Sequence, residues 1–323
     1  MPTNIDLKVL KTAAPTGGGL ALFAIVRNEA YFLPFFFQHY RALGIETFLV
    51  YDDRSDDGTL DFLLAQPDCT VVTSGLSFGD DFGFDLNGAP RRLPQALKER
   101  VPDALLPGRW VLTVDADEFL VLATGFADLV EFTHFLDRTG QPYATAPMVD
   151  FYGETLNHRN YSPALNPFAA NPYFDAGPYY VWAGKVFPEP FVAGLRYRLM
   201  LTLDQWHPNE RARIYGEEMV GATQCKVPLL KHGVGVRRVG DHTLDIVPRV
   251  ETCAALAHFK FYPGLDAKID RAMREQQYAN RSTEYAFLDA ARRLFGDASL
   301  IGPPTRRFTG PAALERAGLL SAK

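Results

Sequence analysis

The chain has 323 residues, 47% of them hydrophobic and 22% charged, with a formal net charge of −5 at pH 7. Length and composition fit a globular protein of one large or two smaller α/β units with an ample core. The acidic balance argues against nucleic acid as a partner, but a bound cation can invert local charge, so phosphorylated substrates stay open.

Cys69, Cys225 and Cys253 are scattered and lack CxxC spacing, which speaks against a disulfide framework or a structural zinc site and for a reducing compartment. Residues 1–19 lack the apolar core of a signal peptide and read as an N-terminal tail. No run reaches the ~18 apolar residues of a membrane span. The expected location is cytoplasmic, with peripheral membrane contact left open.

Strand-like runs recur at Ala21–Val26, Thr47–Tyr51, Cys69–Thr73 and Val111–Val114. They are short, nearly all apolar and not alternating, as in strands covered on both faces. A helix is expected over Glu29–Leu43, with Asn28 as N-cap, Gly44 as stop and Pro34 bending or delaying it. Further helices are expected at Thr59–Ala65 and Pro94–Val101. This alternation predicts βαβ units and a Rossmann-like, largely parallel central sheet flanked by helices.

Phe151–Ala222 holds seven prolines and fourteen aromatics with little helical periodicity, and reads as short strands and loops forming the acceptor-side wall of a cleft. Strand character returns at Lys226–His232 and Ala254–Phe261, followed by helices at Leu265–Asn280 and Thr283–Phe295. One domain is expected over 20–296, in halves 20–122 and 123–296, with 297–323 as a loosely held tail.

The chemistry concentrates where predicted strands end. WVLTVDADEFLVL runs an apolar strand into Asp115, Asp117 and Glu118. In extended geometry Asp115 and Asp117 point to one side, an arrangement that suits Mg²⁺ or Mn²⁺ and, through it, a nucleoside diphosphate. The plain alternative is a solvated acidic turn. Asp52 and Asp53 end the second strand, whereas Asp56 and Asp57 are explained by turn and cap chemistry. Arg27, Asn28 and Glu29 follow the first strand. Three polar clusters thus end strands on one edge of one sheet, where open parallel sheets bind ligands.

The order AIVRNEAYFLPFFFQHYRALGIETFLVYDDRSDDGTLDFL and then WVLTVDADEFLVL resembles glycosyltransferase family 2, a group of GT-A enzymes, in its branch with VRNE, DxSxDGT and DxDEF signatures. The likeness is specific from Leu20 to Leu122 and looser from Lys226 to Ala272. It implies a GT-A-type fold that transfers a sugar from a UDP- or GDP-sugar to a saccharide or glycan hydroxyl. In such enzymes the DxD carboxylates hold Mn²⁺ or Mg²⁺ against the donor pyrophosphate.

Carried over, Asp115 and Asp117 form the metal pair, with Asp117 the more direct ligand and Asp115 near the ribose or metal waters. Asp53 faces the donor base, next to Asp52, and Arg27, Asn28 and Glu29 line the nucleotide pocket. His242 resembles the late histidine that serves as a further metal ligand, ahead of His258 and His232; imidazole favours Mn²⁺. By position alone, Lys98 and Arg91-Arg92 flank the helix before the acidic strand, where they either approach a phosphate or form an ordinary solvated face. Lys226, Lys231, Arg237 and Arg238 are further candidates for closing over the diphosphate. Tyr179, Tyr180, Trp182 and Trp206 suit sugar binding, although core packing explains most such rings.

An inverting transfer needs a general base. No base motif stands in the family's form, and Asp150 and Glu154 are the candidate bases, with Asp175 and Asp204 as rivals. Two other readings compete. A nucleotidyltransferase would show a glycine-rich basic loop after the first strand, which Val26-Arg27-Asn28-Glu29 is not. A non-catalytic carbohydrate- or nucleotide-binding protein would have lost its base.

Overall fold

The computed structural model describes residues 5–14, 18–84, 90–157, 162, 164–176, 194–216, 225–240, 242–246, 248, 253–262 and 264–321. The first half is built from β1 (Lys8–Lys11), β2 (Ala21–Val26), α1 (Leu33–Ala42), β3 (Thr47–Asp52), α2 (Thr59–Ala65) and β4 (Cys69–Thr73). A short hairpin, β5 (Asp81–Phe84) and β6 (Pro90–Arg92), leads into α3 (Leu93–Leu105), β7 (Trp110–Thr113) and β8 (Glu118–Leu122). Every residue of β2, β3 and β7 is buried, which is why these runs are mostly apolar and do not alternate. β2 pairs in parallel with β3 on one side and β7 on the other, and β3 with β4.

Helix α1 starts at Leu33, with Pro34 in its first turn, where a missing N–H costs no intrahelical bond. Asn28 is therefore not its N-cap. It takes a left-handed backbone (φ 57°) and is used elsewhere. Leu33, Phe36, Phe37 and Tyr40 form the buried stripe that seats the helix on the sheet.

The second half comprises α4 (Leu129–Thr139), β9 (Tyr143–Tyr152), α5 (Pro167–Ala170), β10 (Tyr173–Asp175), α6 (Leu195–Trp206) and α7 (Pro208–Tyr215). It continues with β11 (Cys225–Lys231), β12 (Ala254–His258), α8 (Leu265–Glu275), α9 (Ala279–Phe295), β13 (Thr305–Arg307) and α10 (Pro311–Arg316). The sheet order is β1-β4-β3-β2-β7-β11-β9-β10-β13, with β12 joined to both β8 and β9. The Rossmann-like parallel block is thus the expected α/β sheet, extended by antiparallel strands on both sides. In the aromatic-rich stretch, the described residues form helices α5 to α7 and strand β10 rather than strands and loops alone.

Neither end is a loose tail. β1 pairs with β4, and β13 pairs with β10. Leu300, Leu314, Leu319 and Leu320 are buried, and Glu315 accepts hydrogen bonds from both the backbone and the hydroxyl of Thr124. Most of the sparse apolar residues of 297–323 go into the core, with Ile301 left 45% exposed. Among the described residues no helix is long and apolar enough to cross a membrane.

Candidate active site

A cleft of about 530 Å³ opens at the carboxyl edge of β2 and β7, walled on its far side by β12, α8 and α9. Arg27 and Glu29 reach it from the end of β2, Asp115, Asp117 and Glu118 from the β7–β8 turn, and Lys98 from α3. Lys226 comes from β11, His258 and Lys260 from the end of β12, and Lys268, Glu284 and Tyr285 from α8 and α9.

The DRSDDGT loop braces this edge. Asn28 N–H donates to Ser55 Oγ at 2.9 Å, Glu29 N–H to Thr59 Oγ1 at 2.8 Å and Ala30 N–H to Asp57 Oδ2 at 3.1 Å. The Asn28 amide exchanges hydrogen bonds with the Asp56 carboxylate and backbone at 2.6 and 2.8 Å. Asp52 accepts from Ser55 N–H, and Asp53 accepts from Phe78 N–H while lying 3.7 Å from Arg27. Burial raises the Asp53 carboxyl, against the Phe78 bond and Arg27. Asn28, Asp52 and Asp53, expected in the nucleotide pocket, instead hold the turn that aims Arg27 and Glu29 into the cleft. None of the three lines it.

Asp115 is held between two ammonium groups, Lys98 at 2.9 Å and Lys226 at 2.8 Å, and Lys226 also reaches Glu118 at 2.5 Å. Burial opposes ionisation of Asp115, but Lys226 and Lys98 keep it well below the usual carboxylate range. Both of its oxygens are thus taken by lysines. Glu118 is engaged as well, by Lys226 on Oε1 and by the Asp115 N–H on Oε2 at 3.1 Å. What sets Asp115 apart is its place outside the group next to it.

In that group, one ligand atom each from Asp117, Glu118 and His258 lies within 4.8 Å of the others. Tyr40 of α1 fixes the backbone here by donating to Glu118 O at 2.9 Å and accepting from Leu120 N–H at 3.0 Å. Asp117 O accepts from Phe259 N–H at 2.8 Å, but among the described residues its carboxylate makes no hydrogen bond, and its nearest charged partner is His258 Nε2 at 3.9 Å. Burial pushes the Asp117 carboxyl up, but Lys268, His258 and Lys260 bring it below its ordinary value.

β12 lies antiparallel to β8 and parallel to β9, so His258 stands opposite both Glu118 and Asp150. Its Nδ1 is 3.0 Å from Asp150 Oδ1. A carboxylate only accepts, so Nδ1 carries a proton, and it is the neutral tautomer with that proton that turns an Nε2 lone pair toward Asp117. An imidazole fixed from behind by a carboxylate is the usual backing of a metal-bound histidine. Two carboxylate oxygens and one imidazole nitrogen fit Mn²⁺, with water and phosphate oxygens completing its shell.

Of the candidate histidines it is His258, not His242, that stands in this group. The latter lines the cleft, but its Nδ1 is 3.0 Å from Cys225 O and it stands outside the cluster. His232 is buried against Asp103, away from the cleft.

The candidate bases also fall elsewhere. Asp150 is fully buried, with both oxygens on Arg196 Nε at 3.0 Å and one shared with His258. Glu154 is exposed outside the cleft, Asp175 binds Tyr152 and Arg198, and Asp204 faces solvent near Arg211. Lys231 pairs with Asp137, Trp206 is 68% exposed, and Tyr179, Tyr180 and Trp182 lie outside the described residues.

Sequence reasoning missed Arg196, Lys260, Lys268, Glu284 and Tyr285. Lys268 pairs with Glu29 at 2.7 Å, leaving Glu29 Oε2 buried without a partner. The signal for His258 was present: AALAH is an apolar run ending in a polar residue, like the other strands that feed the site.

No protein-family model matches the chain, and none of the curated proteins does. Among solved structures, S. aureus TarS 1–349 in complex with UDP is similar at 14% identity over 47% of this chain and 43% of that one, with a TM-score of 0.28. The matched segment is less than half of either chain.

Proposed function

We propose that the protein transfers a sugar from a nucleoside diphosphate sugar to a saccharide hydroxyl, assisted by Mn²⁺ or Mg²⁺ held by Asp117, Glu118 and His258. The observation that carries this reading is the meeting of those three donor atoms at the carboxyl edge of a parallel sheet, in a cleft lined with lysines and arginines. The VRNE and DxDEF resemblance supports it independently. The bound cation would neutralise the charge that builds on a departing diphosphate.

The chain's own residues prepare that event. Asp150 keeps the His258 proton on Nδ1. Lys98 and Lys226 neutralise Asp115, so that Asp117 and Glu118 are not crowded by a third bare carboxylate. Arg27, braced by the loop after β3, meets the nucleotide side, and Lys268 holds Glu29 against the opposite wall. Asp115 acts here as a positioning residue rather than a ligand.

The test is calorimetric titration of UDP and GDP, with and without Mn²⁺, against wild type and Asp117→Asn. The expected result is that Mn²⁺ tightens one nucleotide by about tenfold or more, a difference of about 1.4 kcal/mol. The variant should lose that gain and keep its melting temperature. Binding unchanged in the variant removes the metal assignment, and no binding of either nucleotide to folded protein removes the transferase reading.

A further inference from the structure

Beyond the cation cluster, the far wall of the cleft carries a second polar group that the transfer chemistry above does not use. Arg196, at the start of α6, donates from Nη1 to Glu284 Oε1 at 2.6 Å. Glu284 Oε2 lies 3.2 Å from Lys260 Nζ, which sits 5.2 Å from the centre of the Tyr285 ring. Arg196, Lys260, Glu284 and Tyr285 all line the cleft together with His258. Arg196 is only 8% exposed, and its Nη2 is buried without a hydrogen-bond partner.

Three features separate this group from an ordinary structural ion pair. The Glu284 side chain is 39% exposed although both its partners are nearly enclosed, so it presents its carboxylate to the cleft. The carboxylate keeps lone pairs and the ammonium keeps N–H donors after pairing with each other. Charge also balances: Arg196 and Lys260 face Asp150 and Glu284, so an added anion or cation gains little net attraction. A neutral ligand that both donates and accepts at adjacent atoms matches this wall, and vicinal hydroxyls do so.

We infer that Arg196, Lys260 and Glu284 form a subsite that recognises neighbouring hydroxyls of a neutral sugar ring, with Glu284 accepting from one and Lys260 donating to the next. The inference rests on the transferase reading for its biological meaning, but not for its geometry. His258 touches both Asp150 and the neighbourhood of Asp117, so the subsite is contiguous with the cation cluster. A ring held there lies beside the place where the diphosphate would be bound. Glu284 would thus choose among sugars without contacting the nucleotide.

The experiment is saturation-transfer NMR with free glucose, galactose and mannose on wild type, Glu284→Gln and Lys260→Gln, alongside nucleotide titrations of the same proteins. At least one hexose should receive saturation from wild type. Its Kd should rise about tenfold or more in Glu284→Gln, as for loss of a hydrogen bond to a charged group. The Kd of free UDP or GDP should stay within about twofold, because the nucleotide meets other residues. Lys260→Gln is the second variant should Glu284→Gln fail to fold, and the same hexose loss is expected there. No hexose binding to wild type, or hexose binding indifferent to both variants, overturns the subsite. Hexose binding that depends on Glu284 while neither nucleotide binds keeps the subsite and rejects the transferase reading.

Discussion

Asp150→Asn separates a structural role for this residue from the catalytic one its position in the sequence suggests. Asp150 is fully buried, and its carboxyl is lowered from 3.8 to about 2: burial opposes ionisation, while Arg196 and His258 outweigh it. A difference near two units corresponds to roughly 2–3 kcal/mol of folding stability. An amide also leaves Arg196 with Glu284 as its remaining carboxylate, so the total cost is expected at about 3–5 kcal/mol, the range for breaking a buried pair. For a chain of 323 residues that is a fall of about 4–7 °C in melting temperature.

The pH dependence has a definite sign. A carboxyl lowered on folding stabilises above its unfolded value and loses that contribution as pH falls through the folded one. The gap between wild type and variant should therefore be full at pH 7, with about half of the ionisation share gone by pH 3. Urea denaturation at the two pH values measures it. A gap under about 1 kcal/mol at pH 7, or one undiminished at pH 3, refutes the assignment of Asp150 to Arg196 and His258.

Lys226→Met should cost about 3–5 kcal/mol, because it leaves the buried Glu118 carboxylate without its ammonium and the partly exposed Asp115 with Lys98 alone, and thermal melts should place it below the single-partner variant Lys98→Met. Deleting residues 299–323 should lower the melting temperature by more than about 5 °C or abolish soluble expression, since it strips β13 from the sheet and removes four buried leucines.

The elements most legible in the sequence were those with one dominant cause. The strands β2, β3 and β7 are buried on both faces, so their apolar runs announced them, and so did the polar residues at their carboxyl ends. Element boundaries were less legible where local signals conflict. Asn28 carries an N-cap side chain, yet Pro34 delays the helix, and the Asn28 amide is drawn to Asp56 instead. Pairing across the second half was not legible at all. That β12 inserts between β8 and β9 depends on long-range register, and that register decides that His258, not His242, meets Asp117 and Asp150. The closing segment misled for the opposite reason. Its few apolar residues are spaced among polar ones, but most of them are core contacts.

The same contrast explains the charge in the cleft. Asp115 with Lys98 and Lys226, Glu29 with Lys268, and Glu284 with Lys260 and Arg196 are pairs drawn from distant parts of the chain. Pairs drawn from water in this way, fully for Glu29 with Lys268 and on the cation's side for Asp115 and Glu284, return little stability beyond their desolvation cost, and well-packed apolar residues of similar volume would serve the fold as well or better. Their concentration in one cleft, beside a carboxylate that makes no hydrogen bond among the described residues and an imidazole whose Nε2 faces it at 3.9 Å, is not what packing selects. A ligand that brings phosphate oxygens, hydroxyls and a cation uses each of these groups. The cost to the fold and the capacity to bind therefore reside in the same residues, which is why stability and nucleotide binding should be measured on every variant together.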